Sequence, residues 1–231
     1  MNAELALAAV AALTIAPFTV QAADFAHPTV VELFQSQGCS SCPPANANLL
    51  ALSNRPDLLP LSFQVTYWDQ LGWKDTFATP AYTARQWDYA HGLNHTSVWT
   101  PQVVVNGRVD VVGVQHGEIE GAIARADRGV GGPVVTVAGD KVTVAGAAPK
   151  APATVWLVRY DPQIIQVPIQ RGENGGRTLP HKNVVRQLVK LGAWDGSSHA
   201  FTLPAPDRAG LKTAVLVQEG RGGAILAAAR A

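Results

Sequence analysis

Cysteine is nearly missing from this chain: Cys39 and Cys42 are its only two. That scarcity excludes a disulfide-stapled scaffold and leaves no further thiols for a Cys₄ or Cys₃His zinc site. Surplus charge is missing as well, with 18 Lys and Arg against 17 Asp and Glu and no basic run. Neutralising many phosphates takes such a surplus, so nucleic acid is not an expected partner. Internal repeats and low-complexity tracts are absent too. What is there suffices for a real hydrophobic core, since 231 residues can hold one large domain or two small ones.

The N-terminus reads as an export signal over residues 1–22. Leu5 to Ile15 is an apolar stretch of the right length, and Val20-Gln21-Ala22 supplies small residues for cleavage after Ala22 or Ala23. The usual Lys or Arg before the apolar stretch is absent; Glu4 stands there, and the first basic residue is Arg55. A buried helix of a cytosolic protein is the rival reading, which Pro17 and the turn-like Gln21 to Asp24 fit poorly. An uncleaved anchor is a further alternative, but the stretch is short against the roughly 20 residues of a membrane span, and nothing later approaches that length. The expectation is a periplasmic or secreted protein without a membrane span after cleavage.

Thr29 to Phe34 is a β-branched, apolar run ending in Gln-Ser-Gln-Gly, a strand and a turn. Pro43 and Pro44 belong in the first turn of the helix that follows, where an amide has no intrahelical partner, so both cysteines sit at that helix's N-terminal end. Leu59 to Tyr67 alternates as a second strand, and an aromatic loop runs through Trp68, Asp69, Trp73, Lys74 and Asp75. Thr79 as N-cap and Pro80 as first helical residue open a second helix reaching His91-Gly92. Val103 to Val105 and Val109 to Val112 flank Asn106-Gly107, a strong hairpin signal. A third helix covers about Gln115 to Asp127. Strand, helix, strand, helix, strand, strand, helix is the element order of the thioredoxin core.

Beyond the glycine-rich linker at Gly129 to Pro133 the chain becomes strand-rich. A hairpin around Gly139-Asp140 joins Val134 to Val137 with Lys141 to Val144. Further strands are expected at Thr154 to Tyr160, Ile164 to Ile169, His199 to Leu203, Lys212 to Gln218 and Ala224 to Ala228. Val184 to Leu191 reads as a strand or as one helix face. The predicted fold class is α/β: a thioredoxin-like domain over 28–128, with a mixed central sheet flanked by helices, then a mainly β, sandwich-like domain over 133–231.

Gly38-Cys39-Ser40-Ser41-Cys42-Pro43 places two thiols on the turn entering a helix, where unpaired amides and the helix dipole favour a thiolate. Cys39 is expected nearer the solvent as the attacking sulfur, and Cys42 as the resolving one. Two plain readings stay open. A structural disulfide suits an oxidising compartment, but the chain-entropy model gives only roughly 2 kcal/mol for so small a loop. Half of a metal site is the other, though no further cysteine completes it.

The chain resembles the bacterial exported family catalogued as domain of unknown function 1223, of the thioredoxin-like superfamily. The likeness spans most of 28–231 and rests on Val30-Val31-Glu32-Leu33-Phe34, Ser36 to Pro44, Tyr67-Trp68-Asp69, Leu71 to Asp75 and Thr100-Pro101-Gln102. Gly172-Glu173-Asn174, Gly176 to Leu179, His181 and Asn183 to Arg186 carry it in the second half. The family name implies no activity. Thioredoxin-like membership implies a cis Pro101 facing the cysteines, with Thr100 offering its backbone to an extended substrate; an ordinary edge-strand proline is the plain alternative. Relatives tend to carry His and Asp where this chain has Gln64 and Thr66. The buried acid of thioredoxins proper is replaced by Leu33, and since Glu32 points to the opposite strand face, Asp69 is the nearest candidate proton carrier for Cys42.

Trp68, Asp69 and Trp73 are candidate substrate-binding residues beside the dithiol, although tryptophans that simply cover the sheet explain them as well. His181, Asn183 and Arg186 invite a metal or anion site, yet one histidine is not a metal site. His91, His95, His116 and His199 lack ligand spacing. The resulting expectation is a thiol-disulfide oxidoreductase or thiol-handling protein with Cys39, Cys42 and Pro101 as its catalytic set. Its partner would be a thiol- or disulfide-bearing protein or a small thiol, with no cofactor and no metal expected. The rivals are a copper-binding protein using both thiolates and a third ligand such as His181, and a non-catalytic binding module with a structural disulfide.

Overall fold

The computed structural model describes residues 22–231, so the expected signal falls outside the described residues save for Ala22. The first half follows the expected element order: β1 (Thr29–Gln35), α1 (Cys42–Leu52), β2 (Leu58–Gln64), α2 (Pro80–Gly92), β3 (Gln102–Val105), β4 (Val109–Val111) and α3 (His116–Ala126). β1 runs parallel to β2, and β3 is antiparallel to β1 and to β4. Alternation divides β1 between two layers. Val31 and Leu33 pack with Leu49, Leu52, Ile119 and Ala122 of α1 and α3, while Val30 and Phe34 face Tyr82 and Tyr89 of α2. Covered on both faces, all seven residues of β1 are buried.

The second half adds β5 (Val134–Ala138), β6 (Lys141–Ala145), β7 (Ala153–Asp161), β8 (Ile165–Pro168), β9 (Thr178–His181), β10 (Val184–Trp194), β11 (His199–Thr202), β12 (Lys212–Glu219) and β13 (Ile225–Arg230). The ambiguous 184–191 segment is strand, because its whole length pairs with β7 through two register shifts. β9 was not expected; among the described residues it pairs with β8 alone. The half is mainly β, and β11-β6-β5 lays Val142, Val144 and Phe201 on Val155, Leu157, Val215 and Val217 of a facing layer. That facing layer is not a closed unit. β10 pairs parallel with β2 at Val184↔Ser62, giving one eight-stranded sheet in the order β13-β12-β7-β10-β2-β1-β3-β4.

Three features seat the halves on each other. Asn183, in the left-handed region at φ 52°, gives its carbonyl to the Ser62 amide at 2.9 Å and its side-chain amide to the Pro60 carbonyl at 2.8 Å. Gly222 lies so near the Asp88 carbonyl of α2 that a Cβ there would overlap it. Glu32 takes a bidentate pair from Arg85, at 2.7 and 3.1 Å, with both side chains buried. Arg85 also donates to Gln218 of β12 at 3.1 Å and to the Tyr89 hydroxyl at 2.9 Å, and that hydroxyl donates to Glu32. Burial works against the Arg85 charge, but Glu32 and Tyr89 outweigh it and hold the guanidinium above its ordinary pKa.

Candidate functional site

β1 ends into a turn tightened by the Cys39 amide on the Ser36 carbonyl at 3.1 Å and the Gly38 amide on the Ser36 hydroxyl at 3.1 Å. The Cys42 amide then closes on the Cys39 carbonyl at 3.2 Å, and α1 starts at Cys42 with the two prolines in its first turn, as the sequence required. Cys39 and Cys42 form a disulfide, with Cα atoms 5.4 Å apart. Ser40 and Ser41 between them are exposed. The cysteines are not: Cys39 is 0% and Cys42 1% exposed. The expectation of a solvent-presented Cys39 is therefore corrected, and the physical reason is a layer of side chains and backbone laid over the turn from two directions.

One direction is the proline loop. The Thr100–Pro101 peptide is cis. The Ser41 hydroxyl lies 3.3 Å from Cys39 Sγ and donates to the Thr100 carbonyl at 3.5 Å, so Thr100 and Pro101 border the disulfide. Trp68 reaches the same place, donating its indole N–H to the Thr100 hydroxyl at 2.7 Å.

The aromatic loop braces the turn through Gln37, a fully buried residue that sequence reading did not single out. Its backbone N–H donates to Asp75 at 2.7 Å, and its side-chain oxygen accepts from the Trp73 indole at 2.9 Å and the Thr76 amide at 3.2 Å. Asp75 also accepts from the Phe77 amide at 2.8 Å; burial, which outweighs these amides, lifts its carboxyl to about 6. Asp69 accepts from the Asp75 amide at 3.0 Å, which fastens the loop to itself. Glu32, on the other sheet face as alternation demanded, is committed to Arg85.

The second direction is the turn between β8 and β9. Asn174, fully buried, donates its amide to the carbonyls of Gln37 and Cys39, each at 2.9 Å. Glu173 accepts from the Ser40 amide at 3.0 Å and the Ser40 hydroxyl at 2.6 Å, and those bonds, the hydroxyl's first, hold its carboxyl below the ordinary range. Gly172, at φ 76°, passes so close to Trp73 that a Cβ would lie 3.2 Å from the Trp73 Cβ. No periodicity pointed to this turn; its only sequence signal was the Gly172-Glu173-Asn174 block.

Beneath α1 lies a buried polar layer. Gln35 donates to Asn46 at 3.0 Å and to Ser62 at 2.7 Å, Gln64 donates to Ser62 at 2.8 Å, and Asn46 donates to the Pro180 carbonyl. His181 follows, edge-on to Phe77, with both ring nitrogens buried and without a partner among the described residues; burial drops its pKa to about 4. Asn183 is occupied by β2, and Arg186 stacks 4.6 Å over Phe77. Among the described residues no group of three His, Cys, Asp or Glu is gathered in metal-binding fashion. Cavities of about 620 and 540 Å³ lie elsewhere, and neither is lined by Cys39, Cys42 or Thr100.

The model of the family described as protein of unknown function (DUF1223) matches residues 30–218. A crystal structure of an Agrobacterium tumefaciens protein is similar at 31% identity and TM-score 0.74, over 91% of this chain and 95% of its own. HBP35 of Porphyromonas gingivalis shares the fold at 14% identity and TM-score 0.58, over 90% of this chain and 76% of its own. No curated protein matches.

Proposed function

The chain belongs to the DUF1223 family of proteins of unknown function, and from there we propose that it is an exported thiol-disulfide oxidoreductase or thiol-handling protein built on a thioredoxin-like unit. Cys39–Cys42 is its exchangeable disulfide. The observation that carries this reading is the juxtaposition of the disulfide, at the N-terminal end of α1, with Thr100, whose carbonyl receives the Ser41 hydroxyl at 3.5 Å. The order β2-β1-β3-β4, with α1 and α3 on one face and α2 on the other, supports the thioredoxin-like assignment. In the reductive direction a partner thiolate attacks the Cys39 sulfur, the bond to Cys42 breaks, and Cys42 leaves as a thiolate favoured by the helix end. A second partner thiolate, or Cys42 in reverse, resolves the mixed disulfide. The partner is a thiol- or disulfide-bearing protein or a small thiol, met in the periplasm or outside the cell, as the apolar stretch Leu5 to Ile15 suggests.

Complete burial of both cysteines favours a second reading, a structural disulfide in a binding module. Equilibrating the folded protein in graded glutathione buffers and trapping its thiols separates the two. Exchange predicts a reversible transition with the fold intact; a disulfide that yields only on unfolding selects the structural reading.

A further inference from the structure

We propose that Glu173 and Asn174 are the gate of the disulfide: the turn that bears them is a strap, and its detachment is what admits a thiolate to Cys39. This deepens the reading of Cys39–Cys42 as exchangeable and rests on it. The sulfurs are shut in although the serines between them are exposed. On one side four hydrogen bonds tie the turn to the cysteine loop: Asn174 donates to the Gln37 and Cys39 carbonyls, and the Ser40 amide and hydroxyl donate to Glu173.

The rest of the strap is suited to leave. Residues 170–173 and 175–178 are exposed, with Asn174 the one buried residue among them. The β8–β9 ribbon is a sheet of its own, outside the eight strands, resting on a small cluster of Val167, Ile169 and Leu179 against Trp73 and Phe77. The Ile169 N–H donates to the Arg177 carbonyl and the Gly176 N–H to the Ile169 carbonyl, each at 2.8 Å, which pins the ends of the turn. Asn46 holds β9 down at Pro180. The movable piece is thus confined to the residues around 170–176, and lifting it frees Ser40 and the Gln37 and Cys39 carbonyls without breaking a hydrogen bond to α1.

Glu173 and Asn174 thereby set access. A thiol partner reaches the Cys39 sulfur by waiting for the strap to lift or by taking over its contacts with Ser40 and with the Gln37 and Cys39 carbonyls. The exchange itself balances without another reactant: the thiolate sulfur bonds to Cys39, the Cys39–Cys42 bond breaks, and Cys42 departs with the electron pair. A second thiol completes a two-electron reduction, the reductant ending as its own disulfide.

The test is the rate at which excess dithiothreitol reduces the folded, oxidised full chain, followed by thiol trapping. Glu173→Ala alters an exposed side chain, so folding is not at stake, and its unfolding midpoint checks that. Losing the charge-assisted bonds to Ser40 should accelerate reduction on the order of tenfold, with Glu173→Gln in between and Arg171→Ala, on the same turn, unchanged. Equal rates for wild type and Glu173→Ala overturn the gate while leaving the exchange reading intact. Failure of all four proteins to reduce while folded overturns both.

Discussion

Gln37 shows how a single residue organises the site: every polar group of its side chain and backbone that has a partner is spent on the aromatic loop or on Asn174. The tryptophans, read from sequence as a substrate surface or as sheet cover, brace the site through their indole N–H groups, Trp73 on Gln37 and Trp68 on Thr100. His181 offers a test at the same scale. Burial favours its neutral form, so below its ordinary pKa of 6.5 the unfolded chain takes up a proton that the folded chain refuses until about pH 4. Folding stability attributable to His181 is thus present above pH 6.5 and lost as pH falls towards 4, by about 3 kcal/mol in full. Asp75 has the opposite sign, since its raised carboxyl pKa near 6 makes the fold the better proton acceptor on the way down. Comparing the wild type with His181→Leu in denaturant titrations across pH 7 to 4 isolates the histidine, because both proteins keep Asp75; parallel curves would refute the assignment.

Between elements, a buried polar set ties three of them: Glu32 on β1, Arg85 and Tyr89 on α2, and Gln218 on β12. Arg85→Ala leaves the Glu32 carboxylate buried with its cation removed, and should cost about 3 to 5 kcal/mol of folding stability. Replacing Glu32 and Arg85 together with apolar residues of like volume should cost far less, since no uncompensated charge is then left. Chemical denaturation of the single and double variants measures both; equal losses would mean that packing, not charge, dominates there. Capping follows expectation only in part: Thr79 and Pro80 open α2 as predicted, yet the Thr79 hydroxyl makes no capping bond.

For the whole molecule, the decisive contact is β10 on β2. The core beneath α2 joins Val30, Phe34, Leu61 and Phe63 of the first half to Val158, Val185, Ala214, Leu216 and Ile225 of the second. A chain ending at Gly132 would expose the β2 edge and half of that core. Such a fragment should express as aggregate or remain unfolded by circular dichroism; a soluble, cooperatively melting fragment would show the halves to be independent.

Local chemistry in the sequence determined the elements that local chemistry governs: the proline-opened helices α1 and α2, the Asn106-Gly107 hairpin, the strand-rich second half, and two cysteines at a helix start. It also determined that Glu32 faces away from Leu33, because strand alternation leaves no choice. Tertiary structure alone decided that the strands of both halves share one sheet, that Val184 to Trp194 is extended, and that Cys39 lies covered. Pairing between strands more than a hundred residues apart, and the docking of a polar turn such as Gly172-Glu173-Asn174, depend on surfaces that exist only after the chain has folded, so no pattern along it can announce them.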